Sequence, residues 1–241
     1  MNFLLIIATL AAFFVKGLCG FANTLVFDSI LGLGYNNVNI SPVELLITYP
    51  SSMILAWNKR KFIDVKVWLP LSLLVIVGMV PGSIFLKNGN PQIIKILFGF
   101  IVIAIALQML LHEKFPVTKQ SPRVVLILIG IFSGVLSGIF GIGAVLVAYI
   151  SRTTTTSDSL KANICMVFIV ENTIRTIVYI ITGIITFSVA LSAIKMFPFM
   201  IIGLNIGMKC SNKISEKSIK YIVIFTLFAS GFTLLLLNFM A

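Results

Sequence analysis

The chain has 241 residues, of which 59% are hydrophobic and only 10% charged, with a mean hydropathy of +1.12. Soluble domains carry about 25% charged residues, so this composition excludes an ordinary water-soluble fold and belongs to the membrane class. The net charge of +11 sits in short loops between apolar runs, which reads as a set of topology signals and argues against a nucleic-acid surface.

In chain order, an apolar run over 3–15 follows the first two residues directly and is read as a first helix, not a removed signal peptide. It meets a glycine-punctuated break, Lys16-Gly17-Leu18-Cys19-Gly20-Phe21-Ala22-Asn23, and a second short run leads to about Gly34. After a polar connection over 35–39, a helix is expected from about Ser41-Pro42 to Trp57, with Pro42 in its first turn. A basic loop holds Lys59, Arg60, Lys61 and Lys66, and the span 67–86 contains Pro70, Pro81, Gly78 and Gly82, a pattern of kinks and close helix packing. Asn88-Gly89-Asn90-Pro91 is a turn, and another span covers about 92–111. The loop from His112 to Arg123 separates a first repeat, 1–111, from a second, 123–241, with 112–122 as the connection.

The second repeat follows the same plan. Its break, Ser137-Gly138-Ile139-Phe140-Gly141-Ile142-Gly143-Ala144, lies inside a 28-residue uncharged run over 124–151. A hydroxyl-rich loop, a helix over about 160–182 ended by Gly183, a span over 187–208, a basic loop over 209–220 and a last helix over 221–238 complete it. Gly17, Gly20 and Ala22 match Gly138, Gly141 and Gly143 at an offset of 121 residues, and Gly78 and Gly82 match Gly203 and Gly207 at 125. Twenty-eight residues are too many for one span and too few for two, but fit a segment that enters part-way and returns. With such a return, loops 58–66, 112–123, 151–161 and 209–220 fall on one side with 13 Lys or Arg, against 2 in loop 87–95. The positive-inside rule favours that arrangement, with basic loops cytoplasmic, both termini outside and the halves inverted. The fold class expected is an all-α polytopic membrane protein of two inverted repeats, each a broken, re-entrant pair plus three transmembrane helices.

Ionisable residues at membrane depth are costly and therefore candidates for function. They are Lys16, Asp28, Glu44, Glu171, Arg175 and Lys195. Glu171 and Arg175 stand four apart on one helix and so either pair and neutralise each other or work separately. In the second case Arg175 binds an oxyanion through its planar fork, Asn172 adds a donor, and Glu171 gates or carries a proton. Lys16 either places a positive charge at the first break or snorkels to the interface. Glu44 is stabilised by the helix dipole near its helix start or takes part in proton coupling, and Asp28 and Lys195 stay undecided. The breaks offer backbone N–H groups at Gly20, Phe21, Ala22 and Asn23 and at Gly141, Ile142, Gly143 and Ala144, the arrangement that receives anions. Packing through small residues is the alternative. The lone His112 falls in a loop and no HExxH or metal cluster exists, so neither an enzyme, a metal nor a cofactor is expected. Cys19, Cys165 and Cys210 lack paired spacing and read as packing residues.

The paired G-x-x-G-x-[GA] breaks, the two-fold repeat and the length resemble the sulfite exporter TauE/SafE family, also called the 4-toluene sulfonate uptake permease family, over essentially the whole chain. The resemblance implies a secondary transporter, read here as an exporter, of sulfite or organosulfonates across the bacterial inner membrane, with protons as the coupling ion to test. A channel or a carrier for a different small anion is the alternative. The partners implied are a small sulfur-containing anion and the bilayer, with a homodimer as one assembly option.

Overall fold

In a computed structural model, residues 3–32, 35, 37–114, 123–141, 146, 150, 154, 156–211 and separate positions between 218 and 236 are described. Among them every regular element is helical: α1 (Phe3–Cys19), α2 (Asn23–Leu31), α3 (Asn37–Asn58), a 3-10 turn (Arg60–Phe62), α4 (Val65–Asn88), α5 (Pro91–Lys114), α6 (Arg123–Phe140), α7 (Ser157–Ile181) and α8 (Phe187–Cys210). α4, α7 and α8 are each long and apolar enough to cross a bilayer. The nine residues of α2 reach only about 14 Å at 1.5 Å per residue, half of a hydrocarbon core. The outer side of α4 presents Leu73 and Val77, 59% and 62% exposed, as a lipid-facing surface would.

Several boundaries differ from those expected. The first break is confined to Gly20–Ala22, because α1 continues through Lys16 to Cys19. α3 starts at Asn37, so Pro42 and Pro50 both lie inside the helix and the first-turn reading of Pro42 is corrected. Glu44 is then two turns into α3, beyond the reach of the helix-terminal charge, and the dipole reading of that carboxylate falls with it. α5 runs to Lys114, so His112 is helical and not in a loop; between Gln108 and Lys114 no Gly or Pro interrupts a run of helix formers. α7 begins at Ser157, where Thr156 Oγ1 accepts from the Ser159 N–H at 3.2 Å and caps the helix. Gly183 ends that region with φ +71, as the sequence suggests. Most of the connection 112–122, the hydroxyl-rich loop and the last helix lies outside the described residues.

Two interfaces repeat one construction. α1 packs along α8, and α4 along α6. Backbones approach where glycines face carbonyls: Gly203 and Gly207 against Leu10 and Phe14, and Gly78 and Gly82 against Ile131 and Val135. Leu10 and Ile131, like Phe14 and Val135, are 121 residues apart, so the offset of the breaks also relates these contacts. In each pair the helices run in the same direction, with Leu74 beside Gly130 and Ser83 beside Gly138, and Leu10 beside Gly203 and Gly17 beside Met208.

One end of the bundle is tied by polar contacts. Lys59 and Asp158 form an ion pair at 2.7 Å, Asn163 accepts from the Asp64 N–H at 2.8 Å and donates to the Phe62 carbonyl at 3.2 Å, and Lys161 donates to Ser211 at 2.7 Å. The start of α4, the start of α7 and the end of α8 therefore share that end, and α6, parallel to α4, starts there too.

These contacts separate two kinds of glycine. A Cβ on Gly207 would stand 2.9 Å from the Gly17 Cα, whereas one on Gly183 meets nothing within 4 Å. Gly207→Val is expected to cost at least about 3 kcal/mol by forcing two backbones apart. Gly183→Ala should cost only about 1 to 2 kcal/mol, for its left-handed conformation. Thermal melting of the two variants in detergent checks the order; equal losses would refute the close-packing account.

Candidate functional site

The first break is a strained turn that frees a helix start. Gly20 has φ +89 and Ala22 φ 69, and Ala22 offers no side-chain cap to α2. The earliest main-chain bond of that helix is Val26 N–H to the Ala22 carbonyl at 3.1 Å, so the preceding N–H groups, at Asn23, Thr24 and Leu25, have no main-chain partner among the described residues, as at any helix N-terminus. Those three residues line a small cavity together with Glu44, Glu171 and Arg175. Its open volume is about 10 Å³, roughly one water.

Two carboxyl groups face this cavity, one from each long central helix. Glu44 of α3 accepts at Oε1 from Asn23 at 2.5 Å, from Thr24 at 2.7 Å and from Thr48. Glu171 of α7 accepts at Oε1 from Ser137. The second oxygen of each carboxyl is buried and has no donor among the described residues. Asn172 also lines the cavity, and its Nδ2 has no acceptor there.

Arg175 is 1% exposed and forms no direct ion pair with Glu171. Its Nε donates to the Tyr179 hydroxyl at 3.1 Å, a terminal nitrogen donates to Ser41, and the Tyr179 hydroxyl passes the chain on to the Gly138 carbonyl at 3.0 Å. The guanidinium lies against the second break. Gly141, at φ +71, has no Cβ where one would stand 2.5 Å from Nη1 and 3.1 Å from Nη2. Close approach here requires glycine.

Lys16 is fully buried and does not snorkel. It donates to the Thr48 carbonyl at 3.3 Å and to Ser52 at 2.9 Å, one layer behind the cavity. Of the backbone donors expected at the breaks, Ala22, Asn23 and Gly141 line the cavity; Gly20 and Phe21 do not. Ile142, Gly143 and Ala144 lie outside the described residues. Lys195 is exposed on α8, and Asp28 is buried away from the cavity lining.

Sequence reasoning missed the hydroxyl partners Thr24, Ser41, Thr48, Ser137 and Tyr179. One signal was available: Glu44 and Thr48 stand four apart on α3 as Glu171 and Arg175 do on α7, both pairs offset by 127 residues.

The fold and the cavity together define a helical membrane protein with a small polar cavity between its helices. The chain belongs to the Sulfite exporter TauE/SafE family, whose model matches residues 4–234. A relative from Cupriavidus necator, described as a probable sulfite/organosulfonate exporter TauE, is 23% identical over 210 residues, covering 85% of this chain and 82% of that protein. No solved structure matches the chain significantly. The family is one of transporters, which places the chain among transport proteins.

Gly141→Ala and Tyr179→Phe both act on the Arg175 guanidinium, one by crowding it and one by removing its acceptor. Their effects on thermal stability are expected to be non-additive by at least about 0.5 kcal/mol. Additive losses in a double-mutant cycle would separate Gly141 from Arg175.

Proposed function

We propose that the protein is a secondary transporter, working as an exporter, that carries sulfite or a small organosulfonate across the inner membrane in exchange for, or together with, protons. The observation that carries this reading is Arg175: a buried guanidinium at a cavity, solvated by hydroxyls and in no ion pair with a carboxylate among the described residues. A fixed positive charge out of water needs a counter-charge. Its planar fork suits a sulfonate or sulfite oxygen pair, and the free N–H groups of α2 add donors. Glycine at 141 leaves room for close approach on the same side.

Alternating access is supported by how the chain runs. α6 and α7 both start at the end of the bundle that carries the Lys59–Asp158 pair. α1, parallel to α8, starts at the opposite end, and α2 returns toward it. This supports two inverted, re-entrant repeats around one site, with the basic loops cytoplasmic. The cavity as it stands holds about one water's volume, which fits an occluded carrier better than an open channel. Glu44 and Glu171 are the groups assigned to gating or proton coupling, since an anion and two carboxylates fit one small low-dielectric space only if protons accompany them. Lys16, behind Thr48, sets the local charge balance.

Arg175→Ala is expected to lower anion flux in proteoliposomes at least about tenfold while the amount of folded protein in the membrane is unchanged. Normal flux in that variant would sink the assignment. Thermal-shift binding of sulfite, thiosulfate, sulfoacetate and taurine identifies the preferred anion, and flux that ignores a pH gradient would favour a passive channel.

A further inference from the structure

Asp28 is the one ionisable side chain among the described residues that is fully buried and has neither carboxyl oxygen hydrogen-bonded. It takes no part in the anion site described above. Its place on α2 is informative. Thr24, Asp28 and Leu31 follow one another at helical spacing on a single stripe of that helix. Thr24, one turn before, lines the central cavity and donates to Glu44. Leu31, one turn after, lines a second and larger cavity of about 330 Å³, bounded also by Leu5, Ile40, Val43, Ser188 and Ser192. That cavity gathers the beginnings of α1, α3 and α8, at the end of the bundle away from the Lys59–Asp158 pair. Asp28 thus stands on a helix stripe that joins the two cavities, as the α3 stripe of Ile40, Glu44 and Thr48 also does.

The charged groups around it are few. Glu44 of α3 and Arg175 of α7 are those whose fields reach Asp28. On α1, which packs beside α2, the titratable residues are Lys16 and Cys19; Lys16 is engaged by Thr48 and Ser52, and the Cys19 thiol by the Val15 and Phe21 carbonyls. Tyr179 of α7 is committed to the Gly138 carbonyl, and Glu171 to Ser137. Among the described residues, no cation is therefore bonded to Asp28. A carboxylate left so would be strongly disfavoured in this setting, whereas a carboxylic acid that exchanges its proton is tolerated. A metal cation is a poorer occupant, since the described residues hold no group of three or more potential acidic, His or Cys ligands.

We infer that Asp28 is a proton-relay residue, taking protons from the larger cavity and passing them along α2 toward Glu44 at the anion site. The proton leaves the Asp28 carboxylic acid and is accepted by the unpartnered Glu44 oxygen, so one carboxylate is exchanged for another and charge is conserved. This inference rests on the proposed transport function and adds to it the route by which protons reach the site.

The test uses the full-length protein in proteoliposomes with the anion that the thermal-shift screen identifies. Two readouts are taken: exchange of labelled for unlabelled anion at equal pH, and net uptake driven by an imposed pH gradient. Asp28→Asn, which resembles the protonated acid permanently, is expected to keep exchange and to lose gradient-driven uptake about tenfold or more, within the usual span of coupling between sites. Asp28→Glu should restore part of the driven uptake. Driven uptake at the wild-type level in Asp28→Asn overturns the relay, and so does loss of exchange and driven uptake together in a variant that still binds the anion, since that marks Asp28 as part of the anion site. A wild-type protein that responds to a sodium gradient and ignores the pH gradient overturns proton coupling itself, a failure distinct from that of Asp28.

Discussion

A chain that interrupts its helices at membrane depth must find partners for every exposed backbone group inside the protein, because lipid supplies none. The first break leaves part of this need open where Asn23, Thr24 and Leu25 start α2 at the cavity, and the helices that carry both breaks, α1 and α6, are held by others pressed along them. Gly207 closes on Phe14 and Gly17, and Gly82 and Gly78 close on Val135 and Ile131. These contacts lack a hydrophobic driving force in the bilayer, so they depend on close backbone approach. The glycines at the helix interfaces are thus the condition for the glycines at the breaks, and both sets recur at matching positions of the two halves.

The same constraint shapes how charge is held. Arg175 leans on Ser41 and Tyr179, Lys16 on Thr48 and Ser52, Glu44 on Asn23, Thr24 and Thr48, and Glu171 on Ser137. A direct ion pair between Arg175 and Glu171 was sterically open to a helix with these residues four apart. It would have satisfied both groups and withdrawn both from any ligand. Solvating them with neutral hydroxyls leaves their charge unspent and fixes their positions, which is what a recognition site needs.

How much of this was legible follows from the strength of each signal. The glycine breaks, the repeat and the candidates Glu44, Glu171, Asn172 and Arg175 stood out because charge and glycine are rare in apolar runs. Ser41 and Ser137 did not, since a lone hydroxyl in a membrane helix has a local alternative in the carbonyl one turn back and carries no spacing of its own. The start of α3 was misplaced because Pro42 reads as a first-turn residue, yet it sits inside the helix, a position that membrane helices tolerate when neighbours take up the freed carbonyl. His112 was placed in a loop on the strength of the charged residues around it, whereas helix formers carry α5 through Lys114.

The repeat is faithful in scaffold and unfaithful in charge, and the difference bears on function. The carboxyl is kept in both halves, at Glu44 and Glu171, but its neighbour one turn on is Thr48 in the first and Arg175 in the second. The reverse holds before the breaks, where Lys16 of the first half corresponds to Ser137 of the second. Each half thus has one cation and one hydroxyl in exchanged places. Lys16 lies behind Thr48, whereas Arg175 lines the cavity itself. A two-fold scaffold allows the same site to be opened from either end by equivalent motions. A single guanidinium at the cavity makes the two halves unequal in charge there, which two equivalent cations would not.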